Sequence, residues 1–69
     1  MDSFKVRIVR LGLSQTKLAE TLSDYQYKFH HADVNRVVNG RSRNNPGDTK
    51  LMIKLDRYLT ELEKERGIR

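Results

Sequence analysis

The 69-residue chain contains no cysteine and no tryptophan, and it has a single proline. Without cysteine there is neither a disulfide framework nor a thiolate metal site. Small secreted domains usually need such staples, so the absence points to a reducing cytoplasm. No apolar run approaches the roughly 20 residues that span a bilayer. The opening Met1-Asp2-Ser3-Phe4-Lys5 lacks the apolar core of a signal peptide, so a membrane partner is not expected. Repeats and low-complexity tracts are absent, as are a glycine-rich phosphate loop, a zinc-protease histidine motif and a cysteine nucleophile. We therefore expect neither an enzyme nor a cofactor. A chain this short buries only roughly 60% of its unfolded surface, which makes residues 1–69 a single domain of modest stability.

Positive charge is what the chain has in excess. Fourteen Lys and Arg face nine Asp and Glu, for a net charge of +5. Between residues 34 and 47 lie Arg36, Arg41 and Arg43, with no acid at all. Basic charge gathered around one helix–loop boundary suggests a polyanionic partner, although surface charge also serves solubility.

Patterning predicts four helices. The first covers residues 3–11, capped by Asp2 or Ser3, with Phe4, Ile8 and Leu11 on one face and Gly12 as its stop. Ser14 caps the second, Leu13 and Leu18 fit a hydrophobic staple, and Lys17 stands where a capping box would place Glu or Gln. Leu18 and Leu22 face inward, and Ala19 permits close helix approach. Tyr25, Tyr27 and Phe29 alternate as in a strand, but the run is too short for a sheet and reads as an extended turn. Those rings pack the turn onto the core or stack on bases. The third helix covers about residues 32–39, with Val34, Val37 and Val38 inward and Gly40 as the C′ residue. A loop follows, in which Pro46-Gly47 suits a type II turn. Asp48 then caps a long helix running to Arg66, with Gly67 as its stop. Met52, Leu55, Leu59 and Leu62 form one seam, and Leu51, Leu55, Tyr58 and Leu62 an overlapping one. The front of this face covers the domain, which leaves Leu59 and Leu62 for a partner.

Leu11-Gly12-Leu13-Ser14-Gln15-x-x-Leu18-Ala19, answered by Val34-Asn35-Arg36-Val37-x-Asn39-Gly40, resembles the lambda-repressor-like (Cro and XRE-type) helix-turn-helix domain. The resemblance spans about residues 3–43. It implies an all-α, four-helix DNA-binding domain, here with a long C-terminal helix, whose third helix enters a major groove. Gln15 would touch a phosphate and buttress the recognition helix, and Ser14 and Thr16 would offer hydroxyl or helix-start amides. Lys28, His30, His31, Ala32, Asn35 and Arg36 would lie at the DNA. Arginine suits guanine and asparagine suits adenine, so Asn35 and Arg36 carry the sequence choice together with His31. A solvated helix arginine is the alternative for Arg36, but its place beside Asn35 and before Asn-Gly-Arg favours a base or phosphate contact. Asn39, Arg41, Ser42 and Arg43 would hold phosphates. His30-His31 without a third ligand make a poor metal site.

Three departures from the family pattern stand out. The usual Gly-Val-Ser turn is missing, and about five more residues separate the helices than in the motif's short turn, which leaves the start of the third helix open. Where many members pair an Arg in the first helix with a Glu before Asn-Gly, this chain has Ile8 and Val38. One long helix replaces the family's two closing ones. The resemblance implies a sequence-specific regulator of transcription, similar to phage Cro-like or excisionase-type proteins, in the cytoplasm of a bacterium or a phage-infected host. It would repress by occupying an operator, as a homodimer on two-fold DNA. The alternative is an antirepressor or other protein-binding module on the same fold, acting through its C-terminal helix.

Overall fold

The computed structural model describes residues 3–67 and joins four helices in the order α1 (Phe4–Leu11), α2 (Gln15–Leu22), α3 (His31–Val38) and α4 (Pro46–Arg66). No strand occurs among the described residues. Each helix is bounded by local chemistry. The Ser3 and Ser14 hydroxyls accept from the Val6 and Lys17 amides, at 3.3 and 2.9 Å. The alternative cap, Asp2, lies outside the described residues. Gly12 closes α1 at φ 68°, with the Leu13 amide donating to the Ile8 carbonyl. Gly40 does the same after α3 at φ 72°, with the Arg41 amide donating to the Arg36 carbonyl. Both are left-handed terminations that glycine adopts without steric penalty.

Helix α3 begins at His31 and ends at Val38, one residue earlier at each end than expected. Its start is fixed by the Asp33 carboxylate, which accepts from the His30 amide at 2.9 Å. Helix α4 begins at Pro46, because the Asn45 side chain accepts from the Asp48 amide at 2.8 Å. Pro46 and Gly47 therefore form the first turn of a helix and not a type II turn. Asp48 is the third helical residue and not the cap. Proline is at home at a helix start, where its missing N–H has no intrahelical role.

Leu51, Leu55 and Leu59 of α4 are each 0% exposed and run as a stripe under the other three helices. Ile8, Leu11, Leu18, Ala19, Leu22, Val34, Val37 and Val38 complete the core from above. Leu59 thus belongs to the interior and is not available to a partner, and Leu62 packs half-buried against the same core. Met52 and Ile53 are the large apolar residues of α4 that stand exposed, at 38% and 49%. No helix of the described residues is long and apolar enough to cross a membrane.

Two polar devices tie the helices and their longest connection together. Ile8 and Val38 are both buried, and Arg7 of α1 forms ion pairs whose partners lie on α4. Its guanidinium donates to Glu63 at 2.8 and 3.0 Å, to Asp56 at 3.0 Å and to Thr60 at 3.2 Å. The long connection of residues 23–30 is tied down at both ends. The Ser23 hydroxyl donates to the Ala19 carbonyl at 2.7 Å and accepts from the Phe29 amide at 2.8 Å. Asp24 accepts from the amides of Gln26 and Tyr27 and from the ammonium of Lys54, which also reaches the Leu22 carbonyl. Tyr27 and Phe29 stack with ring centroids 6.1 Å apart, and Phe29 packs on the core. Tyr25 stands free at 96% exposure.

Candidate nucleic-acid interface

The surface singled out by the sequence is built from the start of α2, the outer edge of α3 and the segment that follows it. Helix α3 packs chiefly on α2. Val34, Val37 and Val38 point into the core, while His31, Ala32 and Asn39 are exposed. Asn35 lies between the two faces, half-buried. Its side-chain amide donates to the Gln15 side-chain oxygen at 3.1 Å. The first residue of α2 is thereby tied to the exposed edge of α3 across 20 residues of sequence. One Asn35 N–H and the Asn35 oxygen remain available, as does the Gln15 amide group. Asn39 folds back, its amide donating to the Asn35 carbonyl at 2.8 Å.

The remaining candidates divide by environment. Ser14, Thr16, Lys28, His30, Arg41, Ser42 and Arg43 are exposed. Ser14 is occupied as the cap of α2, while the amides of Gln15 and Thr16 lie in the first turn, where helical partners are lacking. Lys17, Lys28, Arg41 and Arg43 enter none of the ion pairs found among the described residues. His31 and Ala32 lie side by side at the start of α3. No group of three His, Cys, Asp or Glu among the described residues is arranged to hold a metal.

Arg36 is placed differently from its neighbours. Its guanidinium donates to both oxygens of Asp48, at 2.5 and 3.1 Å, and to Asp33 at 3.1 Å. The side chain is 21% exposed, against 6% for Asp48. The sequence offered Asp48 only as a helix cap and did not foresee either acid as a partner of Arg36, and each does structural work. Asp48 is held well below the usual carboxylate range, first by Arg36 and then by the Arg43 amide. Asp33 is lowered chiefly by the His30 amide and then by Arg36. Arg36 is raised in turn by both acids, Asp48 foremost. The trio carries one excess negative charge, and Asp48 is its most buried member. Arg36 followed by Asn-Gly suggested an outward arginine. The signal that would have found its partner is Asp48 in the first turn of α4, too distant in sequence for a periodicity argument.

The geometry presents two helix starts, a hydrogen-bonded amide pair at their junction and an exposed basic segment beyond. Such a surface offers donors and positive charge suited to a phosphate backbone, with a small number of paired donors and acceptors between them. Comparison of the chain with protein-family models, with curated proteins and with solved structures returned no match.

Proposed function

We propose that this chain binds double-stranded DNA in a sequence-specific manner, with its four helices in a lambda-repressor-like arrangement and the outer edge of α3 in a major groove. It would regulate transcription by occupying an operator, and a two-fold operator would recruit two copies. The observation that carries this is the Gln15–Asn35 hydrogen bond. It uses one Asn35 N–H and leaves the side-chain oxygen and the second N–H for another partner, the pattern complementary to adenine N6 and N7. It also frees the Gln15 amide for a phosphate beside the first-turn amides of α2. Arg41, Ser42 and Arg43, all exposed, supply backbone contacts past the end of α3.

The test is affinity for duplex DNA as a function of salt. The log–log slope should approach about −0.9 for each phosphate neutralised. Arg41→Ala and Arg43→Ala should each make it shallower by about one, weakening all sequences alike. Asn35→Ala should instead lower discrimination between a selected duplex and a random one, by about 1–3 kcal/mol. Affinity that is independent of salt, or unchanged in all three variants, would sink the proposal. Exposed Met52 and Ile53 favour a second reading, a protein partner on the outer face of α4. In that case Met52→Ser with Ile53→Ser would abolish function while DNA affinity, if any, stayed unchanged.

A further inference from the structure

Arg36 would be the natural base-reading residue of α3, yet its guanidinium faces two carboxylates of its own chain. Asp48, from the first turn of α4, accepts from Arg36 through both oxygens, and its Oδ2 also accepts from the Arg43 backbone amide. One buried carboxylate thus joins three pieces of the surface: α3, the exposed segment after it and the start of α4. Asp33 holds the same arginine from the side while fixing the first turn of α3 through the His30 amide. A planar guanidinium engaged in this forked way on a buried acid has few donors left for a guanine. Releasing it would leave Asp48, 4% exposed, charged and short of partners, an arrangement costly enough to persist when DNA arrives.

We propose that Arg36 is a positioning residue that, through Asp48, fixes the Arg41–Arg43 segment against α3 for phosphate contact, and does not itself read a base. This rests on the DNA-binding reading and sharpens it. Sequence choice falls to Asn35, with His31 and Ala32 beside it, while Arg36 sets affinity. Asp48 acts as the hinge pin. Its Oδ2 meets the Arg43 amide, the group whose position decides where the Arg43 side chain leaves the backbone.

The two roles predict opposite results for Asp48. Binding of the full chain would be measured to a random-sequence duplex and to a duplex selected from a random pool, for Arg36→Ala, Asp48→Asn and the double variant. A positioning role predicts that each single variant loses about ten-fold in affinity for both duplexes, leaving their ratio unchanged. The double variant should be no worse than the weaker single, and Arg36→Ala should cost less on an Arg43→Ala background, since the two act through one segment. If Arg36→Ala collapses the ratio while Asp48→Asn preserves or raises it, Arg36 reads a base and the proposal is overturned. Hydrogen exchange of the Arg43 amide supplies a readout that needs no DNA. It should be protected in the wild type and exposed in Arg36→Ala, with the core amides of α4 unchanged. Protection that survives both variants also overturns the proposal. A wild-type chain that binds neither duplex removes the DNA reading, and the positioning role with it, while the exchange data still report whether the lock exists.

Discussion

Arg7 shows how strongly the worth of an ion pair depends on where it sits. Its two acidic partners lie at similar distances, yet the Glu63 side chain is 5% exposed and that of Asp56 is 61% exposed. Exposed pairs are screened and contribute little, whereas removing one partner of a buried pair strands the other charge. Glu63→Ala should therefore destabilise the chain by about 3 kcal/mol. Asp56→Ala should cost under about 1 kcal/mol. Urea unfolding of the two variants decides this, and equal midpoints would refute the ranking. Nothing in the sequence announced the pair, because 56 residues separate Arg7 from Glu63 and 49 separate it from Asp56. The same reason hid the Arg36–Asp48 pair, whereas His31, Ala32 and Asn39, which the resemblance puts on the outer surface, are exposed.

At the scale of elements, what was legible was local. Ser3, Ser14, Gly12, Gly40 and Gly67 mark helix ends through contacts within a few residues, and each sits where its chemistry predicts. Pro46-Gly47 was ambiguous because a tight turn and a helix start ask for similar residues. The Asn45 side chain decided for the helix by accepting from Asp48. The stretch from Ser23 to His30 is the extended turn the sequence suggested, but what anchors it was not legible. Alternating aromatics signal a strand only if a neighbour pairs with them, and here the backbone is satisfied by the Ser23 and Asp24 side chains instead. Ser23→Ala leaves the Phe29 amide and the Tyr27–Phe29 stack without their anchor. We expect a loss of about 1–2 kcal/mol. Exchange of the Phe29 amide should accelerate well before that of α1 or α4. Uniform acceleration throughout the chain would show that the connection is not an independent unit.

For the molecule as a whole, acidity is the common weakness. Asp24 is lowered from 3.8 to about 2, first by Lys54 and then by the Tyr27 amide. Asp33 and Asp48 are lowered as well. A carboxyl whose folded value lies below its unfolded value stabilises fully above the unfolded value and ceases to do so as pH falls through the folded one. The melting temperature should be flat from neutrality to about pH 5 and fall from there towards about pH 2. Asp24→Asn should soften the lower part of that fall, and added salt should weaken the surface share of the effect. A melting temperature that holds constant across this range would contradict the assignment of these three acids.

Tyr25 adds a practical outcome. Fully solvated at the tip of a connection whose hydrogen bonds use its neighbours, it can be exchanged for Tyr25→Cys with little effect on packing. Because the chain has no other thiol, one fluorophore would attach there and nowhere else. Energy transfer from that dye to a labelled duplex end would then report the orientation of the protein along the helix axis.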